Sequence, residues 1–291
     1  MEHRFAQLSG VRIHYVEAGR GPLVLLLHGF PEFWYSWRRQ IPALAGAGFR
    51  VLAPDLRGYN LSDKPKGLEN YRIDKIVGDV VGLIRHAGES RAAIVGHDWG
   101  GAIAWETAIR HPEVVQRLAI LNCPHPAVFS RELHTWEQRA RSWYMLYFQI
   151  PWLSELSILG SLKAIFRGDV ARHGAFSASD LAEYYKAATR PGALTAALNY
   201  YRAAFRFERH RVLRTRPKIH APTMLLWGEQ DRYLGIRNTE GLEAWVSDLR
   251  IVRLPHASHW VQADAPEEVS RLLVGFCSGK GNFTEVTCIA T

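Results

Sequence analysis

Apolar positions along this chain follow two spacings, and their order predicts strands that alternate with helices. Short apolar runs and alternating apolar and polar residues are typical of strands. The predicted strands cover residues 11–17, 22–27, 49–53, 91–95, 118–121, 223–227 and 249–254. Strands that alternate with helices favour an α/β fold, with helices on both faces of a mostly parallel, doubly wound sheet.

Apolar residues at helical spacing predict the helices between these strands. One helix runs from about Trp37 and ends at Gly46 and Gly48, and another ends near Gly88. Further helices are predicted after residue 98 up to His111, over 238–246, and from about 264 to 277, where Pro266 is typical of a first helical turn.

The pattern changes after Pro124 and Pro126. Residues 127–217 contain no buried-strand run, are rich in aromatic residues and arginine, and indicate several helices. We therefore expect residues 1–125 and 218–278 to form one α/β core and 126–217 to form an inserted helical cap. Residues 279–291 have little to bury and are expected to form a loose C-terminal tail.

The positive charge is concentrated in the predicted cap. The chain carries a formal charge of +8, and residues 131–216 hold 14 Lys or Arg against 7 Asp or Glu. No nucleic-acid-binding module accompanies this charge, so we expect no nucleic-acid partner and interpret the region as a solvated, arginine-rich surface. Weak attraction to anionic substrates or to a membrane surface stays open.

Membrane insertion and disulfides are not expected. No apolar run reaches the length of a membrane span, and the N-terminus lacks the apolar stretch of a signal peptide. The three cysteines form neither a C-x-x-C pair nor an even set, which favours a reducing, cytoplasmic location. The sequence leaves the oligomeric state open.

Asp98 is the strongest candidate for a catalytic side chain. It stands between Gly96 and Gly100, after a predicted strand and before a predicted helix. This is the context of a nucleophile elbow, with a carboxylate where serine is usual. Glycines here also occur wherever a helix packs closely on a sheet, but an ionised carboxylate at a helix N-terminus can attack carbon and form an ester.

A carboxylate nucleophile needs a base to activate water and an acid to orient that base. Asp231 and His259 follow consecutive late strands, in the order nucleophile, acid, histidine that elbow folds use. Glu229 and His256 are rivals for these two roles. The two histidines also suggest a metal, but no carboxylate-rich or cysteine-rich ligand set joins them, so we expect no metal.

The candidate oxyanion hole is formed by two backbone N–H groups. One is expected from Trp99, directly after the nucleophile, and the other from Phe30 in the loop after an early strand. Core packing is the alternative role for both side chains.

The end of the preceding strand is an alternative place for the catalytic acid. That position is occupied by Asn122, which lacks the charge that an acid requires. Asp264 is interpreted as a helix cap.

Three segments and one pair of residues together resemble the epoxide hydrolases of the α/β-hydrolase fold. They are His28-Gly29-Phe30-Pro31-Glu32, Asp55-Leu56-Arg57-Gly58-Tyr59, Gly96-His97-Asp98-Trp99-Gly100 and the Asp231/His259 pair. The resemblance spans about residues 10–277. It implies a cofactor-free epoxide hydrolase. The aromatic cap and an apolar pocket favour a small hydrophobic epoxide as the substrate.

The same resemblance implies that two cap tyrosines hydrogen-bond the epoxide oxygen. The matching segments nominate Tyr147 and Tyr201, with Tyr144 and Tyr200 as neighbouring alternatives. A phenol suits the task because ring opening develops an alkoxide that a phenol can protonate.

Two other functions are weighed against the epoxide hydrolase. Haloalkane dehalogenases share the Gly-His-Asp-Trp-Gly segment but usually carry Asn, or another halide-binding donor, where Phe30 stands. A ligand-binding receptor on a hydrolase scaffold is the third hypothesis. It is disfavoured because a receptor need not retain nucleophile, acid and base together.

Overall fold

The computed structural model describes residues 1–8, 10–208 and 217–280, and within them eight strands form one sheet. The strand order is β1-β2-β4-β3-β5-β6-β7-β8. β1 and β2 pair antiparallel, as do β2 and β4, and all other neighbours are parallel. This topology confirms the predicted α/β fold. The strands are β1 (Glu2–Leu8), β2 (Val11–Ala18), β3 (Leu23–Leu27), β4 (Arg50–Pro54), β5 (Ala92–His97), β6 (Val115–Leu121), β7 (Thr223–Gly228) and β8 (Leu249–Leu254).

Helices cover both faces of the sheet, and six of the described α-helices lie between β6 and β7 in the chain. None of the helices in the described residues is both long and apolar enough to cross a bilayer. The α-helices are α1 (Gln40–Gly46), α2 (Ile73–His86), α3 (Trp99–Arg110), α4 (Pro126–Glu132), α5 (Trp136–Arg141), α6 (Tyr144–Tyr147), α7 (Leu153–Gly168), α8 (Ala178–Ala188), α9 (Ala193–Ala203), α10 (Val261–Asp264) and α11 (Pro266–Cys277).

Two apolar clusters sandwich the sheet. One includes Ile41 of α1 and Phe276 of α11, and the other includes Val80 of α2 and Trp105 of α3. Alternate residues of β3 point into opposite clusters, because successive side chains in a strand face opposite ways. Burial on both faces explains why the central strands have near-continuous apolar sequences.

Two elements differ from the sequence-based prediction. β1 was not expected, because of its seven residues only Ala6 is fully buried, so it lacks an apolar pattern. The helix predicted over 238–246 is wrong. Two short 3-10 turns, Ile236–Thr239 and Leu242–Ala244, replace it, since Gly241 adopts a left-handed φ of 73° between them.

The six-helix insertion is fastened to the core through polar contacts. The hydroxyl of Tyr200 donates to the carbonyl oxygen of Arg57 at 2.7 Å, and the Arg57 guanidinium makes two hydrogen bonds to Asp79 at 2.7 and 2.8 Å. The loop that contains Arg57 therefore braces α9 against α2. The boundaries of the cap at 126 and 217 stay a prediction, and most of the predicted tail lies outside the described residues.

The turn from β5 into α3 positions the candidate nucleophile. Asp98 adopts φ 50° and ψ −120°, a conformation that L-residues rarely occupy. The flanking glycines allow it: a Cβ on Gly96 would lie 2.3 Å from the carbonyl oxygen of Gly100, and a Cβ on Gly100 would lie 2.1 Å from that of Leu27. The strained turn therefore requires the absence of both side chains.

We predict that Gly100→Ala lowers the free energy of unfolding by roughly 2–3 kcal/mol, because the added methyl group overpacks against β3. Gly78→Ala is the matched control, since Gly78 is an exposed helical position whose Cβ would meet nothing within 4 Å. That control should gain about 0.5–1 kcal/mol. Urea unfolding followed by circular dichroism measures the free energy of unfolding of both variants. If the two variants were equally stable, Gly100 would not be closely packed against β3.

Candidate active site

The Asp98 carboxylate faces two different environments with its two oxygens. Its Oδ1 accepts a hydrogen bond from the backbone N–H of Phe30 at 2.8 Å, whereas Oδ2 lies 3.6 Å from Nε2 of His259. Gly29 permits this approach, because a Cβ there would lie 2.5 Å from the Cβ of Asp98. Trp99 is the first residue of α3, so its N–H has no acceptor within the helix.

His259 and Asp231 form the rest of the candidate triad. His259 follows β8, Asp231 follows β7, and Nδ1 of His259 lies 2.7 Å from Oδ2 of Asp231. The structure thus brings together the three side chains singled out from the sequence. Both partners are buried, with Asp231 and His259 each 4% exposed.

Asp231 accepts hydrogen bonds from three groups besides His259. Its Oδ1 accepts from the backbone N–H groups of Tyr233 and Leu234 at 2.7 and 2.9 Å, and its Oδ2 accepts from the side-chain amide of Asn122 at 2.8 Å. The Asn122 carbonyl oxygen in turn accepts from the N–H of Gly228 at 2.9 Å. Asn122 therefore positions the acid from the end of the neighbouring strand, although it carries no charge itself.

The charges of the triad stabilise one another. Burial alone would raise the pKa of Asp98, but the adjoining His259 outweighs it and holds that pKa below its usual value. Burial likewise opposes ionisation of Asp231, and the positive charge of His259 again keeps its pKa low. For His259, burial is outweighed by Asp231 and then Asp98, which together raise its pKa to about 10. These pKa shifts together favour an imidazolium between two carboxylates in the resting site.

A second polar layer supports the triad from behind. Nδ1 of His97 lies 2.8 Å from the carboxylate of Glu32, and its Nε2 lies 2.9 Å from the carbonyl oxygen of His259. Glu32 also accepts from the N–H of Gly29 at 3.0 Å and from the amide of Gln262 at 3.1 Å. These contacts tie the loop of Phe30 to the loop of His259.

Asp98 and His259 face a cavity of about 240 Å³. Its wall is mostly aromatic and aliphatic, and Ser157 and Ser161 also line it. Among the residues that line it are Phe30, Tyr144, Tyr147, Phe148, Tyr201, Tyr233 and Trp260.

The four candidate tyrosines differ in what their hydroxyls contact. Tyr200 is absent from the cavity wall, because its hydroxyl donates to the Arg57 carbonyl. Tyr147 lines the cavity, but its hydroxyl donates to Ser157 at 2.9 Å and to the Leu153 carbonyl at 3.3 Å. Tyr144 and Tyr201 also line the cavity, with ring centroids 6.1 Å apart.

Tyr144 and Tyr201 both respond to the charge of Asp98. Burial raises the pKa of each phenol, and the Asp98 carboxylate raises it further. The side chain of Trp99, whose ring lies 5.1 Å from that of Tyr201, partly offsets this increase in the pKa of Tyr201. No hydrogen bond is found for the Tyr144 hydroxyl among the described residues.

Three other sequence-based interpretations are resolved by the structure. Glu229 is exposed, and His256 is 3.2 Å from Glu268 at the surface, so neither joins the triad. The helix-cap role for Asp264 is wrong: it ends α10 and accepts hydrogen bonds from the N–H groups of Ser258 and Arg172. Within the described part of the chain, no three His, Cys, Asp or Glu side chains come together as metal ligands.

Comparison with known proteins gives the family. Residues 22–266 match the family of the alpha/beta hydrolase fold. The chain is 40% identical over 282 residues to AB hydrolase superfamily protein YfhM of Bacillus subtilis (strain 168), covering 94% of this chain and 96% of that protein. It is also 40% identical over 282 residues to Epoxide hydrolase 4 of Homo sapiens, covering 92% of this chain and 76% of that protein.

Solved structures agree with these relatives. The Bacillus megaterium epoxide hydrolase in complex with an inhibitor superposes with a TM-score of 0.84 at 35% identity. The match covers 94% of this chain and all of that one. With a matching fold, relatives at this identity and an aspartate in the elbow turn, the chain belongs to the epoxide hydrolases of the α/β-hydrolase fold.

Proposed function

We propose that the protein hydrolyses an epoxide to a vicinal diol through a covalent ester on Asp98. One observation carries the proposal: Asp98 lies in the elbow turn, its Oδ1 accepts the Phe30 N–H, and its Oδ2 lies beside His259 and accepts no backbone N–H of the described residues. The low pKa of the carboxylate keeps it ionised and nucleophilic.

In the first step, Oδ2 of Asp98 attacks an epoxide carbon, and the bond from that carbon to the ring oxygen breaks. The oxygen becomes an alkoxide and takes a proton from a phenol. We assign Tyr144 and Tyr201 to this task, in place of the pair Tyr147 and Tyr201, since the Tyr147 hydroxyl is already occupied by Ser157. Two phenol donors aimed at the developing charge lower the barrier most in a water-poor cavity.

Ester formation changes the charge balance around His259. The ester on Asp98 is neutral, so the contribution of that carboxylate to the raised pKa of His259 disappears. The imidazolium can then return a proton to the tyrosinate and become a neutral base. The same chemical step that makes the ester thus prepares His259 for the second half-reaction.

In the second step, His259 takes a proton from water, and the hydroxide attacks the ester carbonyl carbon. The negative charge develops on Oδ1, which already accepts the Phe30 N–H, and the Trp99 N–H is the second donor. Collapse of this intermediate breaks the bond between the carbonyl carbon and the alkoxy oxygen, and His259 gives its proton to the alkoxy oxygen of the departing diol. The proton left on the new Asp98 carboxyl group then passes to His259, which restores the carboxylate and the imidazolium. Asp231 holds the imidazole ring throughout.

The cavity favours a hydrophobic, aryl-containing epoxide. Its wall is mostly aromatic, and its volume of about 240 Å³ suits a small molecule. A variant of the Bacillus megaterium epoxide hydrolase has been solved with its product, (R)-3-[1]naphthyloxy-propane-1,2-diol. The proposed reaction uses no cofactor, and the cytoplasmic location stays a prediction from the cysteines.

The first prediction concerns the ester. His259→Gln should still form the ester with styrene oxide but not hydrolyse it, because water then lacks its base. Intact-protein mass spectrometry should show a stable increase equal to one epoxide, which peptide mapping should assign to Asp98. Asp98→Asn is the control and should remain unmodified. A His259→Gln protein that accumulates no adduct, or one labelled elsewhere, would refute the nucleophile assignment.

The second prediction separates the tyrosines. Tyr144→Phe and Tyr201→Phe should each lower the rate of ester formation about 100-fold, because each removes a donor to the alkoxide. Tyr147→Phe is the matched control from the same cavity wall, and we expect it within about twofold of wild type. Stopped-flow fluorescence under single-turnover conditions measures the three rates. If Tyr147→Phe greatly lowered the rate of ester formation and Tyr144→Phe did not, the donors would be Tyr147 and Tyr201 instead.

A further inference from the structure

Six large apolar side chains are exposed together on α6, on α7 and on the loop between them. Trp152 is 83% exposed, Leu156 70% and Trp143 63%. Single exposed apolar residues are normal, but a cluster of this size on one short segment is typical of an interaction surface. We call this cluster the α6–α7 patch, formed by Trp143, Leu146, Ile150, Trp152, Leu153 and Leu156.

Local contacts hold the patch together beside the catalytic cavity. The Tyr147 hydroxyl joins α6 to the first turns of α7 through Ser157 and the Leu153 carbonyl. Trp143, Tyr147 and Ser157 also line the cavity that contains Asp98. Of the six patch residues, Trp143 is thus part of the wall of the cavity that contains Asp98, so the patch borders that cavity.

Two exposed, positively charged side chains extend the patch along α7. Leu153, Leu156, Lys163 and Arg167 lie three, seven and four residues apart and are all exposed, so they share one helical stripe. No carboxylate of the described residues pairs with Lys163 or Arg167. Glu155, the only carboxylate within residues 143–168, is already bound by Arg202 at 2.8 Å. The stripe is apolar at one end and positively charged at the other.

We propose that the α6–α7 patch docks on an anionic lipid bilayer, from which hydrophobic epoxides enter the catalytic cavity. Tryptophan and leucine side chains insert at the level of the lipid head groups, while lysine and arginine extend to the phosphates. Charge favours this partner over a second copy of the chain, because a second copy would bring Lys163 and Arg167 against the same two cations. The docking does not depend on the chemistry proposed for Asp98.

Vesicle flotation without substrate tests the docking directly. Wild-type protein should float at low salt with vesicles of phosphatidylcholine and phosphatidylglycerol in a roughly two-to-one ratio, and less with phosphatidylcholine alone. Trp152→Gln/Leu156→Gln and Lys163→Gln/Arg167→Gln should each weaken binding at least about tenfold. None of these four residues lines the cavity, so both variants should hydrolyse a water-soluble epoxide at the wild-type rate.

Matched controls remove similar groups from other surfaces. Lys75→Gln/Arg85→Gln deletes two exposed cations from α2, and Phe5→Gln deletes a 44% exposed aromatic ring from β1, and both should float like wild type. The proposal is overturned if wild type does not float, if the patch variants float as well as the controls, or if all variants weaken equally. It is also overturned if analytical ultracentrifugation shows a dimer that only the patch variants dissociate, since a second copy would then cover the patch.

Discussion

The backbone of Asp98 lies at φ 50° between a buried strand and a helix, and the candidate active site is arranged around the side chain that this turn presents. No Cβ fits at the glycines two residues before and after it, because the helix passes within contact distance of the sheet. The strain is sustained because β5 and α3 pack on both sides of the turn. What the protein gains is a carboxylate that stands at a helix N-terminus and faces a nearly apolar cavity.

Burial of three ionisable side chains is tolerable only because their charges alternate. His259 lies between Asp98 and Asp231, and each ion keeps its neighbours ionised against the cost of leaving water. In the proposed reaction, this balance also sets the order of events. Once Asp98 is esterified, its charge no longer raises the pKa of His259. His259 can therefore act as a base only after the ester has formed.

The sequence was most informative where function depends on local chain geometry. The elbow around Asp98 and the loops that carry Asp231 and His259 follow from strand ends and glycine spacing, which are visible along the chain. Contacts between segments that are far apart in the chain were harder to predict from the sequence. Asn122 supports Asp231 because β6 and β7 are neighbours, and Asp264 accepts a hydrogen bond from the backbone N–H of Arg172, which is far from it in the sequence. For Tyr144 and Tyr147, α6 is a single turn, and the sequence does not reveal which hydroxyl Ser157 occupies.

The central claim is that an oxygen atom of Asp98 leaves with the product, and a single turnover in heavy-oxygen water tests it most directly. With enzyme in excess over epoxide, the account predicts that the first diol contains only light oxygen and that the heavy isotope appears in the Asp98 carboxylate. Heavy oxygen in the diol of the first turnover, with an unlabelled Asp98, would mean that water attacks the epoxide itself and would contradict the account.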